Sequence, residues 1–256
     1  MNDKPQFLLV EPVAKTQYPP LGLIKISTML RRQYPDCRIF TATDKDIPRG
    51  LYEPEDIYIT SLFTWDINSV VDYILFCQMF FPDAKIRVGG IGASLIPKYI
   101  FEKTGTMPYI GLLGEAENCP PDYSLTFGRQ LRSSITYTSR GCVRRCDFCC
   151  VPKLEPGYCS RNGWEQDINP DFPEITVWDN NFLASPLFEQ DCKTLLKLNK
   201  KVDFNQGLDA RLYNERRASM LHQVNVNPVR FAFDSMEYAD DVLRAISLAK
   251  NSQVKR

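Results

Sequence analysis

The chain has 256 residues, 44% of them hydrophobic and 24% charged, which excludes a disordered or collagen-like protein and leaves room for one or two domains. Lysine plus arginine and aspartate plus glutamate both number 31, so net charge gives no support to a general nucleic-acid binder. No apolar run reaches the roughly 18 residues of a spanning helix, and Met1-Asn2-Asp3-Lys4-Pro5 lacks the regions of a signal peptide; a cytoplasmic protein with no membrane partner is expected.

The first half alternates between strand and helix patterns. Residues 7–10 form a short apolar run, and Tyr18-Pro19-Pro20-Leu21-Gly22 opens a segment with Leu23, Ile26, Met29 and Leu30 at helical spacing. Residues 37–43 and 56–62 read as the second and third strands. Asp66 opens a helix to residue 79, striped by Val70, Val71, Ile74 and Leu75. Strands at 85–88 and 108–113 follow. Strands separated by helices imply a parallel sheet covered on both faces, a Rossmann-like α/β domain over residues 1–118. Gly89-Gly90-Ile91-Gly92 departs from the dinucleotide fingerprint because position 95 is leucine and the run follows the fourth strand. A glycine-rich turn is the simpler reading. The pattern lapses near Pro120-Pro121-Asp122, so residues 119–131 are expected to link this domain to a second, at 132–256.

Nine cysteines occur, and four of them, Cys142, Cys146, Cys149 and Cys150, fall within nine residues. The odd total and the expected compartment argue against a disulfide framework. A strand-like run at 134–138 leads into a loop over 139–150 in which Cys142, Cys146 and Cys149 have the spacing C-x-x-x-C-x-x-C, with Phe148 before the third. Three thiolates on one loop can converge on an iron–sulfur cube and leave one iron open. Zinc is the competing metal, with Cys159 a better fourth ligand than the adjacent Cys150; Cys150 reads as a packed thiol.

Downstream, residues 174–178 form a strand ending in Asp179-Asn180-Asn181-Phe182, and residues 186–199 a helix. Residues 202–207 form the next strand, leading to Leu208-Asp209-Ala210-Arg211; Asn214 caps a helix containing Ala218 and Leu221. A fourth strand at 229–233 ends in Asp234-Ser235, followed by a helix at 240–249 with Val242, Ile246 and Ala249 on one face. Polar groups thus recur at strand carboxyl ends, where barrel-type α/β enzymes place their chemistry.

The cysteine loop resembles that of the radical S-adenosylmethionine (SAM) superfamily, the branch with an N-terminal domain of cobalamin-binding type. That resemblance implies a [4Fe–4S] cluster on Cys142, Cys146 and Cys149, and SAM as cosubstrate, cleaved reductively to a 5′-deoxyadenosyl radical or used with cobalamin for methyl transfer. It implies cofactor contacts at Phe148, Asp179, Asn180, Asn205, Gln206, Asp209, Asp234 and Ser235, with Asp179 accepting from the SAM amino group. A reductant such as flavodoxin or ferredoxin is implied as partner. Arg140, Arg144, Arg145 and Lys153 make the loop basic, which suits an anionic partner or a solvated charge run.

Two departures qualify the resemblance. The superfamily core has six βα units, whereas about four follow residue 130, so an incomplete barrel is expected, finished by a partner chain or a missing C-terminal segment. The alternative is a non-catalytic iron–sulfur or zinc module that needs a partner chain to complete the barrel. The Pro19-Pro20-Leu21-Gly22-Leu23, Val88-Gly89-Gly90 and Gly114-Glu115-Ala116-Glu117 segments are similar to the cobalamin domain. Its D-x-H-x-x-G ligand motif is absent and the sole histidine is His222, which leaves cobalamin open as a cofactor without an axial histidine from this domain.

Overall fold

The computed structural model describes residues 4–13, 16–43 and 45–254, with the side chains of 252–254 excepted. Met1 to Asp3 and the final Lys255-Arg256 lie outside the described residues. The chain divides into two compact units, Met1–Leu131 and Arg132–Arg256.

The first unit is a parallel sheet in the order β2-β1-β3-β4, from β1 (Gln6–Val10), β2 (Arg38–Ala42), β3 (Asp56–Thr60) and β4 (Lys85–Gly89). Leu8 faces Phe40 on one side and Ile57 on the other, and Ile57 faces Ile86. Phe7, Leu8, Leu9 and Val10 are all buried, the continuous apolar run that a central parallel strand needs. Helices α1 (Leu21–Gln33), α2 (Ile67–Phe80), α3 (Ile91–Leu95), α4 (Pro97–Thr104) and α5 (Gly114–Glu117) complete the unit. The core joins Ile57, Ile59 and Val88 to Ile74, Cys77 and Ile100. Each fully buried aliphatic side chain there stabilises by roughly 1.5–3 kcal/mol.

A fifth strand at 108–113 does not form. Tyr109 N–H donates to the Val88 carbonyl at 2.7 Å, but the successive Tyr109 and Ile110 are both exposed, so the run lacks the alternating buried face that holds a ladder. Residues of the 119–131 segment are bonded within the first unit. Asp122 N–H reaches the Ile24 carbonyl at 2.9 Å, its carboxylate accepts from Ser27 Oγ at 2.6 Å and Arg31 Nε at 3.1 Å, and Arg129 pairs with Glu11 at 2.7 Å.

The second unit carries the parallel sheet β5-β8-β9, from β5 (Ser133–Thr136), β8 (Glu174–Val177) and β9 (Lys201–Phe204). Between the first two strands lie a two-residue antiparallel ladder, β6 (Ser139–Arg140) with β7 (Cys159–Ser160), and the short helix α6 (Val151–Leu154). Helix α7 (Phe188–Leu198) follows β8 and buries Phe188, Cys192 and Leu195, which are spaced by helical turns. It ends at Asn199, whose φ of 49° is left-handed, a conformation asparagine tolerates. Helix α8 (Glu215–Gln223) is capped by Asn214, whose side chain accepts from Arg217 N–H at 3.0 Å. Helix α9 (Ala239–Val254) buries Val242, Ala245 and Ala249, while Ile246, expected on that face, is 37% exposed.

The fourth strand at 229–233 is a correction to the expected unit count. The backbone there makes one isolated bridge, Leu208 to Phe231, with another just before it, Val202 to Val226. Pro228 has no N–H to give a ladder. Phe231 instead packs edge-on against Tyr213, with ring centroids 4.8 Å apart. The second unit's parallel sheet therefore consists of three paired strands, followed by a fourth βα segment whose strand is reduced to bridges.

Candidate functional site: a cysteine loop held by buried carboxylates

The cysteine loop begins where β5 runs out. Three buried groups, Thr138, Ser139 and Asp179, fix its first residues. The Asp179 carboxylate, just past β8, accepts from Thr138 N–H at 2.7 Å, Thr138 Oγ1 at 2.6 Å and Ser139 Oγ at 2.6 Å. Burial pushes this carboxyl above its ordinary value, against the hydrogen bonds from Ser139 and Thr138 that lower it. Both of its oxygens are engaged by the loop's own stem, so Asp179 positions the loop.

Gly141 follows with φ of 74°. A Cβ at that position would overlap the Gly157 carbonyl oxygen, so only glycine lets the two arms of the loop approach. Its N–H donates to Glu155 Oε2 at 2.6 Å, and the same oxygen accepts from Asn180 Nδ2 at 3.2 Å. Arg140 reaches Glu155 Oε1 at 3.4 Å and lies over the Tyr137 ring at 3.4 Å. The β6–β7 ladder closes the arms, and Arg161 N–H returns to the Thr138 carbonyl at 2.7 Å. Arg161 is fixed in turn by the buried Asp167, which also accepts from Thr136 Oγ1 at 3.0 Å.

Cys142, Cys146, Cys149 and Cys150 are partly exposed and Cys159 is exposed, whereas Cys37, Cys77, Cys119 and Cys192 are buried. Burial pushes the Cys77 and Cys192 thiols up to about 12, which marks them as packed side chains rather than ligands. Cys142 Sγ accepts from Arg144 N–H at 3.4 Å and lies 3.9 Å from Asn181 Nδ2. Asn181 is buried, its Nδ2 also donates to Asp209 Oδ2 at 3.1 Å, and its Oδ1 is buried without a partner. Asp209 further accepts from Arg144 Nε at 3.1 Å and Arg211 Nε at 2.7 Å. Burial raises the Asp209 carboxyl, but bonds from Arg211, Arg144 and Asn181 and the Arg211 charge outweigh it and hold it below its ordinary value.

The remaining expected contacts are dispersed. Phe148 is 66% exposed on the loop. Asn205 N–H bonds the Val177 carbonyl at 3.1 Å, and Gln206 is exposed in the turn before Gly207. Asp234 is exposed, and Ser235 Oγ accepts from Glu237 N–H at 3.2 Å to cap a short turn. Thus Cys142, Asn181, Asp209 and Arg144 are brought together, as are Asn180 and Glu155, while Ser235 caps its own turn and Asp234 is exposed. Sequence reasoning passes over Thr138, Ser139, Glu155, Asn181 and Arg211. The acidic strand end pointed to Asn181's neighbours; nothing local signals Glu155, which acts on Gly141 across the closed loop.

The thiols fit an iron–sulfur cluster by donor type, by placement on one accessible loop, and by the N–H bonds already made to Cys142 Sγ. Among the described residues no three His, Cys, Asp or Glu side chains stand close enough to hold a single metal ion; a cube of four irons takes thiolates that stand farther apart.

No family model and no curated protein matches the chain. Among solved structures, the cobalamin-dependent S-adenosylmethionine radical enzyme OxsB with aqua-cobalamin and SAM bound matches with a TM-score of 0.71 at 17% identity, over 96% of this chain and 48% of that one. OxsB with aqua-cobalamin alone matches with a TM-score of 0.70 at 17% identity, over 98% and 48%. The chain therefore spans about half the length of these structures. A cobalamin-binding protein from Desulfitobacterium hafniense aligns with a TM-score of 0.32, too slight a likeness to argue from. Over nearly its whole length this chain shares the fold of the two OxsB structures.

Proposed function

We propose that this chain binds a [4Fe–4S] cluster and SAM and forms the cofactor-binding part of a radical SAM enzyme. The observation that carries the reading is the Cys142, Cys146 and Cys149 loop at the carboxyl end of β5, the first strand of the second unit's parallel sheet. Strand carboxyl ends are where such sheets place their chemistry.

When bound, the cluster supplies the electron that splits the SAM sulfonium, and cobalamin would add a methyl carrier. The chain's own residues hold and orient. Asp179 and Glu155 fix the two ends of the stem through Thr138, Ser139 and Gly141. Asp209 ties the loop's Arg144 to the turn after β9. Exposed Arg145 and Lys153 give an acidic reductant, of the flavodoxin or ferredoxin kind, a place to dock. A further chain or segment would supply the remaining barrel units.

For cobalamin the supporting residues lie in the first unit. Its strand order places a switch point between β1 and β3, where open sheets bind ligands. Ser61 follows β3 with a buried hydroxyl that has no partner. The exposed Trp65 stacks on Phe63 at 4.5 Å beside it. Gly90 and Gly92 are explained without a ligand, since a Cβ on either would overlap backbone or side chain of Ser61. With the sole histidine at 222 on α8, the first unit offers no axial imidazole.

Anaerobic reconstitution with iron and sulfide, followed by dithionite and SAM, tests the reading. Cluster formation with release of 5′-deoxyadenosine is expected, and methyl transfer would show as cobalamin-dependent S-adenosylhomocysteine. A cluster without SAM cleavage would favour a non-catalytic module, and zinc without sulfide would defeat the reading.

A further inference from the structure

We propose that Asn181 is a positioning residue that tunes the cluster's reduction potential through the Cys142 sulfur, and that Asp209 aims it. The inference rests on the cluster-binding reading above. Asn181 Nδ2 faces two acceptors, Asp209 Oδ2 at 3.1 Å and Cys142 Sγ at 3.9 Å. The Asp209 bond fixes the amide plane and so directs the second N–H at the sulfur. Among the described residues Cys142 has one other donor, Arg144 N–H at 3.4 Å. The side chain of that same Arg144 is bonded to Asp209 at 3.1 Å. One carboxylate therefore steadies both N–H groups that face Cys142.

The other half of the Asn181 amide argues that stability does not explain the residue. Its Oδ1 is buried and without a partner, a state that costs free energy rather than supplying it. An apolar side chain of similar size would remove that cost. It would also remove the N–H toward sulfur and the bond to Asp209, whose carboxylate keeps its bonds from Arg144 and Arg211. Hydrogen bonds to cluster sulfurs favour the reduced, more negative state and raise the potential. The backbone donor from Arg144 would remain, so the expected change is partial.

The test compares wild type with Asn181→Leu, and with Asn181→Ala where the larger side chain does not fit, all reconstituted anaerobically. Iron and sulfide content and the midpoint potential by spectroscopic redox titration are read. Both variants are expected to load wild-type amounts of iron and sulfide, with the potential lowered. The reduced-to-oxidised ratio at a fixed potential should fall several-fold, up to about tenfold, or about 59 mV for one electron. An unchanged or raised potential at full loading would overturn the inference while leaving cluster binding intact. Failure of both variants to load, where wild type loads, would show a structural role and overturn it as well. Failure of wild type itself to load would instead bring down the cluster reading.

Discussion

The two units use buried polar groups in opposite ways. Among the described residues the first unit buries one carboxylate, Glu11, whereas the second buries Asp167, Asp179, Asp191 and Asp209. Glu11 pairs with Arg129 and so ties the unit's last segment to the end of β1. The other four surround the stem of the cysteine loop or the turns beside it. Asp179 and Asp167 brace the loop's two arms, and Asp191 accepts from Trp164 Nε1 at 2.9 Å in the turn after β7. Buried charge is costly unless fully hydrogen-bonded, so its concentration in one unit marks where loop geometry is held at the expense of stability.

Removing a brace should separate the two units most sharply. Asp179→Ala strips the acceptor from three buried donors, and a loss of about 3–5 kcal/mol is expected from the second unit. It should show as an early first phase in urea unfolding followed by circular dichroism, together with lost cluster loading. Glu11→Ala leaves Arg129 buried without its carboxylate and should cost the first unit about 3 kcal/mol. It should leave iron and sulfide content unchanged. Loss of the cluster in Glu11→Ala would break the contrast.

A pH series sharpens it. Burial raises the Asp191 carboxyl to about 6, against its Trp164 hydrogen bond and assisted by the Asp179 charge. Its folded value lies above the unfolded value of 3.8, so the folded state holds the proton more tightly. Stability from this group is full below pH 3.8 and is lost as pH rises toward 6, by at most about 3 kcal/mol. Asp209 acts with the opposite sign: its folded value is depressed, so its contribution is present above 3.8 and lost on further acidification. Asp191→Asn keeps an acceptor for Trp164 and should flatten the slope between pH 4 and 6, read by tryptophan fluorescence in urea. A slope unchanged in the variant would refute the assignment.

The smallest effect is expected at Asn214, whose side chain caps α8. Asn214→Ala should cost about 1 kcal/mol and leave the cluster's potential untouched, as a measured unfolding midpoint and redox titration would show.

Much of this was legible from residue order. The runs at β1 and β3 are apolar enough to suggest a buried sheet, whereas β4 carries exposed Lys85 and Arg87, and the thiol spacing suggested a shared metal centre. Residues 108–113 misled because Tyr109 and Ile110 have strand-like side chains yet meet solvent. Residues 229–233 misled because Phe231 is apolar for packing on Tyr213 rather than for pairing. Ladder β6–β7 is too short to leave a periodicity. Asp179 was legible as important, but nothing local showed that its oxygens also accept from Thr138 and Ser139. Such assignments depend on partners 40 residues away in sequence, which no local pattern encodes.

The central claim is that three sulfurs of one loop hold an iron–sulfur cube. Iron and acid-labile sulfide should be counted after oxygen-free reconstitution of wild type and of Cys142→Ala, Cys146→Ala and Cys149→Ala. The account predicts about four of each per wild-type chain and a marked loss in every variant. Full iron and sulfide in all three variants would contradict it.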